Sequence, residues 1–367
     1  MNLSSAVISR ISMTLKTPFH TSLGTVTERE GLVLELYDTD GKCGLGEGVA
    51  FSSPWYTEET VASSLEMIQH HLLPLLFQEP LGHPEDLQKR FSSVRGNPMA
   101  KAAVDMAVWD LYAKQKGVSL SECLGGSRTH ALAGVAIGSK DIDDLLDQAE
   151  QAQEQGYQRI KVKIRPGYDL VPLKALREQF PLIQILADAN SAYSGYTEDL
   201  LALDDLGLQM IEQPFAVDDL AEHAAVQLQM KTPICLDESI NSYRAAVNAI
   251  TFKSCRVINL KIGRVGGITA AKKIHDLCME NDIQIWCGGM LEFGISRAHN
   301  AAISMLPGFT IPGDLSASSR YWTEDITTPE LIVNKGLVEP FQGNGIGVEL
   351  NRRRLDEVTL ERFEYPE

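Results

Sequence analysis

Several features that would assign this chain to a special class of protein are missing. No apolar stretch approaches the roughly 18–20 residues that span a bilayer, and the N-terminus lacks the basic start and continuous apolar core of a signal peptide. No lysine- or arginine-rich tract occurs, and the net charge of −16 argues against nucleic acid or an anionic membrane as the main partner. The six cysteines form no Cys-x-x-Cys pair, which predicts reduced thiols. We therefore expect a cytoplasmic protein.

The composition is that of an ordinary globular protein, and the length suits two domains. The chain has 367 residues, of which 44% are hydrophobic and 22% are charged. Strand patterns fill the sequence to about residue 60, and helical patterns follow. The clearest helix starts at Asn97-Pro98, with Asn97 as N-cap, and stops near Gly117. Strands followed by helices predict an α+β capping domain over residues 1–126.

From about residue 131 the patterns of strand and helix alternate. Eight such units close a TIM-type barrel, so we predict a catalytic α/β barrel over residues 127–325. Residues 326–367 carry short strand-like pieces and are predicted to pack back on the capping domain. The eight strand candidates lie near residues 131–137, 159–163, 183–188, 208–212, 233–237, 256–261, 283–287 and 309–311.

Five charged residues recur at nearly constant intervals, and each closes a short apolar run. They are Lys163, Asp188, Glu212, Asp237 and Lys261, separated by 25, 24, 25 and 24 positions. This interval is the length of one strand-loop-helix-loop unit. The C-terminal ends of barrel strands meet in one ring, where catalytic groups gather. The pattern therefore predicts three carboxylates that face each other, with a lysine on either side.

The three carboxylates predict a metal site. Asp188, Glu212 and Asp237 offer hard oxygen ligands from adjacent strands, which suits Mg²⁺, with Mn²⁺ as the alternative. Without a cation, such a cluster would repel itself. The absence of His and Cys from the five positions argues against zinc. A competing interpretation is that each acid caps the helix that follows it, but three acids in register between two lysines favour the metal.

Two lysines on one strand predict a general base. Lys161 and Lys163 are two positions apart, so their side chains point the same way, into the barrel, while the alternating Ile160, Val162 and Ile164 face the helices. Partial desolvation, a second ammonium group and a nearby metal would each favour a neutral amine. Lys163, closer to the strand end, is our predicted base, and Lys161 is the neighbour that tunes its pKa and could also contact a substrate carboxylate. The competing interpretation is a pair of surface lysines on an edge strand.

Lys261 lies four units beyond Lys163, nearly opposite on a ring of eight strands. Two amines on opposite faces of one carbon acid can remove and return its proton, or one can act while the other stabilises charge. A Schiff-base lyase that uses either lysine as a nucleophile is an alternative, although it needs no row of carboxylates. Four neighbours of the five residues are predicted either to support them or to serve as helix caps or turn residues: Asn190, Gln213, Glu238 and Asn259.

These motifs resemble the enolase superfamily, muconate-lactonizing subgroup, over essentially the whole chain. The resemblance rests on Lys161-Val-Lys163, Asp188-Ala-Asn190, Glu212-Gln-Pro214, Asp237-Glu-Ser239 and Lys261-Ile-Gly263. It implies a (β/α)₇β barrel with a capping domain completed by the C-terminal segment. It also implies that Mg²⁺ holds a small-molecule carboxylate while a lysine removes the α-proton. Barrels of this kind often associate, so the resemblance is compatible with a homo-oligomer but does not fix the oligomeric state.

Within the subgroup, the chain resembles the branch of o-succinylbenzoate synthases and N-acylamino acid racemases. This likeness rests on residues 288–292, on residues 311–319 and on Arg264. Dipeptide epimerases carry an Asp-x-Asp motif where this chain has Asp314-Leu-Ser316, and mandelate-racemase relatives use a His base that is missing here. The resemblance implies dehydration of 2-succinyl-6-hydroxy-2,4-cyclohexadiene-1-carboxylate in menaquinone biosynthesis, with N-acylamino acid racemisation as the alternative or as a second activity. A non-catalytic descendant is disfavoured because all five groups are present.

The resemblance also implies that loops of the capping domain select the substrate. Two loop segments, residues 19–23 and 51–55, resemble the two lid loops of the family. With residues near the last barrel strands they are predicted to form an apolar wall for a ring or an acyl chain; the alternative is that they belong to the core of the capping domain. The predicted wall residues are Phe19, Phe51, Trp55, Met290 and Leu315.

Overall fold

The computed structural model describes residues 1–21, 24–138 and 141–366, and for residues 19–21 and 24 it describes only the backbone. The strands within these residues are β1 (Leu3–Thr21), β2 (Gly24–Asp38), β3 (Cys43–Gly48), β4 (Ala131–Leu132), β5 (Val135–Ile137), β6 (Arg159–Lys163), β7 (Gln184–Asp188), β8 (Met210–Glu212), β9 (Ile234–Leu236), β10 (Val257–Leu260), β11 (Gln284–Cys287), β12 (Thr327–Thr328), β13 (Leu337–Val338), β14 (Glu349–Leu350) and β15 (Thr359–Tyr365).

The helices include several short turns that connect longer elements. The α-helices are α1 (Val61–Met67), α2 (Leu73–Leu76), α3 (Leu87–Arg90), α4 (Pro98–Lys116), α5 (Leu120–Leu124), α6 (Ile142–Glu154), α7 (Leu170–Gln179), α8 (Thr197–Leu201), α9 (Leu220–Gln227), α10 (Tyr243–Thr251), α11 (Ile262–Val265), α12 (Ile268–Glu280), α13 (Gly294–Ile303) and α14 (Arg352–Val358). A π-helical turn spans Ile68–Leu72, and 3₁₀ turns span Pro84–Asp86, Asp204–Leu206 and Ser318–Arg320. No helix in the described part of the chain is long and apolar enough to cross a membrane.

The capping domain is an antiparallel sheet packed against helices. Its strands lie in the order β15-β1-β2-β3. Buried residues of β1 and β2 share one apolar core with α1 to α4. The helix α4 lies very close to β3 because β3 has glycines at the contact: a Cβ at Gly44 would stand 2.1 Å from the carbonyl oxygen of Ala107, and one at Gly46 would stand 2.0 Å from that of Ala103.

The predicted helix at Asn97-Pro98 is confirmed and Asn97 is its N-cap residue, but the side-chain hydrogen bond expected of that cap is absent. The backbone of Asn97 is left-handed (φ 52°), and its side chain makes no capping hydrogen bond. Instead, the carboxylate of Glu59 accepts hydrogen bonds from the backbone N–H groups of Met99 (2.8 Å) and Ala100 (3.0 Å). A distant acid therefore satisfies the free N–H groups at the start of α4, and its charge also suits the helix dipole.

Among the described residues, the barrel contains seven parallel strands in the order β11-β10-β9-β8-β7-β6-β5, and helices pack around them. The predicted fold class, a (β/α) barrel with an α+β capping domain, is confirmed. The predicted eighth strand near residues 309–311 is wrong. Backbone hydrogen bonds of Gly313 and Asp314 close the gap between the end strands β5 and β11. The N–H of Gly313 donates to the carbonyl of Leu132 (2.8 Å), and its carbonyl accepts from the N–H of Gly134 (2.7 Å). The N–H of Asp314 donates to the carbonyl of Cys287 (2.8 Å). Pro312 precedes these residues and has no N–H group for a regular ladder.

The C-terminal segment contacts both parts of the molecule. Strand β15 pairs antiparallel with β1 at the edge of the capping sheet. Strand β13 pairs antiparallel with β4, next to the barrel. The domain limits at residues 126 and 325 stay a prediction. All six cysteines are free thiols, four of them buried and two half-buried, as the sequence predicts.

Candidate active site

The five recurring charged residues lie along one edge of the barrel sheet. Lys163, Asp188 and Glu212 are the last residues of β6, β7 and β8, and strand register pairs Lys163 with Asp188 and Asp188 with Glu212. Asp237 and Lys261 directly follow β9 and β10. A cavity of about 350 Å³ opens at this edge; four of the five residues line it, and Glu212 lies beneath it with no exposed surface.

The ammonium group of Lys161 forms ion pairs with three carboxylates of the site. Its Nζ atom lies 2.8 Å from Oε2 of Glu212, 3.0 Å from Oδ2 of Asp188 and 3.4 Å from Oδ2 of Asp314. Burial alone would lower the pKa of Lys161, but these carboxylates, Asp188 first among them, raise it well above its ordinary value. Lys161 is therefore a buried ammonium group that neutralises part of the acidic cluster.

Lys163 stands at one end of the row, with a side chain that is 56% exposed in the mouth of the cavity. Its Nζ atom lies 2.7 Å from Oδ2 of Asp188 and donates to the side-chain oxygen of Asn190. Asn190 in turn donates to Oε1 of Glu238 at 3.1 Å. The predicted neighbours Asn190 and Glu238 thus lie beside Lys163 and line the cavity with it.

Lys261 stands at the other end of the row, with β7, β8 and β9 between its strand and that of Lys163. Its Nζ atom lies 2.9 Å from Oδ2 of Asp237 and 2.8 Å from the hydroxyl of Tyr56. Arg264 approaches the same two partners, at 2.5 Å from Oδ1 of Asp237 and 2.7 Å from Tyr56. Burial alone would raise the pKa of Asp237, but Arg264 and Lys261 hold it below its usual range. Arg264 is buried behind Asp237 and does not line the cavity.

Glu212 is held by polar groups from the neighbouring strands. Asn259 donates to its Oε1 atom at 2.8 Å, and Lys161 donates to the same atom at 3.1 Å. Burial, with the nearby Asp188 carboxylate, raises the pKa of Glu212 to about 8. Gln213 supports the next strand, because its side-chain oxygen accepts a hydrogen bond from the backbone N–H of Asp237 at 3.0 Å.

The donor chemistry of this row fits a divalent cation. Asp188, Glu212 and Asp237 supply hard oxygen atoms, and Oδ1 of Asp188 is buried with no hydrogen-bond partner among the described residues. In this structure the three carboxylates turn toward lysine and arginine side chains. Accordingly, no three His, Cys, Asp or Glu side chains in the described ranges converge on one metal position.

An apolar wall stands opposite the charged row. Phe51, Trp55, Met290 and Leu315, all predicted as wall residues, line the cavity. The ring of Phe51 packs against that of Trp55 with centroids 4.5 Å apart. The side chain of Phe19 lies outside the described part of the structure. Further apolar side chains of the wall are Val217, Leu291 and Leu331, and the rings of Tyr56 and Tyr321 also line the cavity.

Sequence reasoning missed several polar residues of the site. Tyr56 directly follows the predicted lid segment, so extending that segment by one residue would have included it. In the sequence, Asp314 stands out only as half of an absent motif. In the structure it pairs with Arg159 (2.9 Å) and with Lys161. These two cations lower the pKa of Asp314 to about 2 despite its burial. Arg297, from the buried helix α13, also lines the cavity, and no local pattern marks it.

Comparison with known proteins places this geometry in a family. Residues 144–354 match the model described as enolase C-terminal domain-like, and residues 4–125 match the model of the mandelate racemase / muconate lactonizing enzyme N-terminal domain. The chain belongs to the enolase superfamily. Enzymes of this superfamily use a divalent metal ion and act on small molecules.

Several superfamily members resemble the chain along almost its whole length. An o-succinylbenzoate synthase of Geobacillus kaustophilus is 51% identical, over 98% of this chain and 96% of the relative. An N-succinylamino acid racemase of Thermus thermophilus is 44% identical, over 98% of both chains. A crystal structure of an enolase superfamily member from Listeria innocua, 43% identical, superimposes with a TM-score of 0.97 over 99% of both chains.

Proposed function

We propose that this chain is a Mg²⁺-dependent o-succinylbenzoate synthase of the cytoplasm. It would dehydrate 2-succinyl-6-hydroxy-2,4-cyclohexadiene-1-carboxylate in menaquinone biosynthesis. The observation that carries the proposal is the row of three carboxylates between Lys163 and Lys261, facing an apolar wall, in a chain 51% identical to a known synthase. The charged row would bind the carboxylate of the substrate beside its α-carbon, and the apolar wall would contact the substrate ring.

In the proposed reaction Lys163 handles the proton. It reaches the cavity from its mouth, where a bound carbon acid would present its α-hydrogen. The neutral amine takes the α-proton, the carbon–oxygen bond to the ring hydroxyl breaks, and the same ammonium group protonates the departing hydroxide. The products are an aromatic ring and one water molecule, and Lys163 returns to its neutral form.

Lys261 would supply fixed positive charge across the ring. Its ammonium group is buried and held by Asp237 and Tyr56, so it needs little reorganisation to stabilise the negative charge that develops on the substrate carboxylate. Asp188, Glu212 and Asp237 would hold the Mg²⁺ ion. When bound, that ion neutralises charge on the substrate carboxylate and so makes the α-hydrogen more acidic.

A second candidate is N-succinylamino acid racemase, alone or beside the synthase activity. The observation in its favour is that two lysines border the cavity from opposite ends of the row, in a chain 44% identical to such a racemase. Racemisation needs one group to remove the α-proton and another to return a proton on the opposite face. Lys163 and Lys261 would take these roles.

Proton NMR of two parallel reactions separates the candidates. Purified protein with Mg²⁺ in D₂O is given either the cyclohexadiene carboxylate or N-succinyl-L-phenylglycine. Dehydration of the first substrate alone supports a dedicated synthase, and comparable α-deuteration and racemisation of the second supports a dual enzyme. Turnover of neither substrate by protein with bound metal would refute both.

Three lysine variants test the assigned roles. Lys163→Ala and Lys261→Ala should each abolish dehydration. The control is Lys231→Ala, since Lys231 is 86% exposed and pairs only loosely with an exposed acid at 3.6 Å. Activity of Lys163→Ala equal to that of this control would contradict the proposed base.

A further inference from the structure

Two loops from different parts of the chain border the cavity. The lid loop, residues 49–56, follows β3 of the capping domain and carries Phe51, Trp55 and Tyr56. The barrel loop, residues 288–293, joins β11 to α13 and carries Met290 and Leu291. The width and shape of the apolar wall depend on how these two loops are held relative to each other.

One buried arginine joins the two loops. Arg29 on β2 is 1% exposed and does not line the cavity. Its guanidinium donates to the backbone carbonyls of Val49 (2.6 Å) and Ala50 (2.7 Å) in the lid loop and of Leu291 (3.3 Å) in the barrel loop. A planar fork with five donors can satisfy carbonyls in several directions at once, which a lysine ammonium on a flexible stem does far less well.

A carboxylate of the neighbouring strand fixes the far end of the barrel loop. Glu47 on β3 accepts hydrogen bonds from the backbone N–H groups of Phe293 and Ser296, both at 2.8 Å, at the start of α13. Within the barrel loop, Leu291 has a left-handed backbone (φ 56°), which a branched side chain adopts only when its surroundings hold it. Arg29 and Glu47 supply that support from the capping sheet.

A series of direct contacts leads from Arg29 to the reacting groups. Its guanidinium lies 4.4 Å from the centre of the Phe51 ring. The Phe51 ring contacts those of Trp55 (4.5 Å) and Tyr56 (6.1 Å). The Tyr56 hydroxyl in turn lies 2.8 Å from Nζ of Lys261. A change in the position of the lid loop would therefore move both the apolar wall and a partner of Lys261.

We propose that Arg29 is a positioning residue that sets the aromatic lid loop against the barrel loop, and thereby sets the fit of the substrate ring or acyl chain and the placement of Lys261. The inference rests on the proposed function for its substrate. The alternative is that Arg29 only joins the capping domain to the barrel, in which case the folded enzyme would work normally without it.

The variant Arg29→Lys tests the inference, with Arg177→Lys as the matched control. Arg177 also donates to several backbone carbonyls, but those of Phe180, Ile183 and Leu206, at the end of the barrel where the strands begin. Steady-state kinetics on the cyclohexadiene carboxylate gives KM and kcat separately. Acrylamide quenching reports the lid directly, because Trp55 is half-buried whereas the other three tryptophans are at most 3% exposed.

We expect Arg29→Lys to raise KM roughly tenfold, with a smaller fall in kcat, because loss of about one methylene group's packing in an apolar pocket costs at least this much. Quenching of Trp55 should increase, while Arg177→Lys should match the wild type in both readouts. Equal kinetics in the two variants, or unchanged Trp55 quenching in Arg29→Lys, would overturn the inference.

A second variant keeps the test decisive if Arg29→Lys fails to fold. Glu47→Gln retains one acceptor oxygen but replaces the other with an NH₂ group, which cannot accept the second backbone hydrogen bond of the barrel loop and α13. It should shift KM in the same direction, and a wild-type KM in this variant would count against the inference. If the wild-type protein turns over no substrate, the proposed function fails, whereas Trp55 quenching in the variants still decides whether Arg29 positions the lid.

Discussion

Replacement of Asp105 by Asn should flatten the dependence of stability on pH between about pH 5 and 8. Asp105 lies on α4, where the capping domain meets the barrel, and is 4% exposed. Its carboxylate accepts hydrogen bonds from the backbone N–H (3.1 Å) and the hydroxyl (2.6 Å) of Thr269 on α12, and that hydroxyl accepts one from Trp109 (2.8 Å). Burial outweighs these hydrogen bonds and raises the pKa of Asp105 to about 7.

The size of the effect follows from the two pKa values of Asp105. The pKa rises from 3.8 in the unfolded chain to about 7 in the folded protein, so the folded state binds more protons between these values. The resulting stability is fully present below pH 3.8 and is lost as the pH rises through 7. At about 1.4 kcal/mol for each pKa unit the full span is roughly 4 kcal/mol, of which about 2.5 kcal/mol falls between pH 5 and 8.

Urea unfolding of the wild type and Asp105→Asn over a pH series measures this contribution. Other titrating groups cancel in the difference between the two proteins, and Asn can keep hydrogen bonds to both partners. The control is Asp204→Asn: the hydrogen bonds that Asp204 accepts lower its pKa despite partial burial, so its difference from wild type should be constant above pH 5. A wild-type minus Asp105→Asn difference that is equally constant from pH 5 to 8 would refute the reasoning.

Three further predictions concern packing, capping and the metal. Gly46→Ala should destabilise the protein by about 3 kcal/mol or prevent folding, because the added methyl group would meet the carbonyl of Ala103. In the control Gly138→Ala, the added methyl group meets no atom within 4 Å, so thermal unfolding should be nearly unchanged. Glu59→Ala should cost roughly 1–3 kcal/mol through loss of the α4 cap, and Glu58→Ala, an exposed neighbour, should change the unfolding midpoint little. EDTA should abolish turnover, and added Mg²⁺ should restore it. Treatment with borohydride in the presence of substrate should give no covalent adduct detectable by mass spectrometry. A trapped adduct would favour the Schiff-base lyase.

The sequence predicts those parts of the fold that depend on local periodicity. Strands have a side-chain period of two, so Lys161 and Lys163 share a face, and a repeat of 24 or 25 residues brings Asp188 and Glu212 to the same sheet edge. The ends of α4 are equally local, because Pro98 fits the first turn of a helix and Gly117 adopts the left-handed backbone that ends one. Neither inference requires knowledge of a distant residue.

Only the tertiary structure decides contacts between segments that are far apart along the chain. The side chain of Glu59 rather than that of Asn97 caps α4, and Gly313 rather than a regular strand closes the barrel, because each role depends on which backbone groups the packed fold leaves without a partner. Arg29 reaches Leu291 across 262 positions, and Tyr56 reaches Lys261 across 205. Local periodicity determined the order and direction of the five recurring charged side chains, whereas packing of the capping domain on the barrel determined the residues that surround and position them.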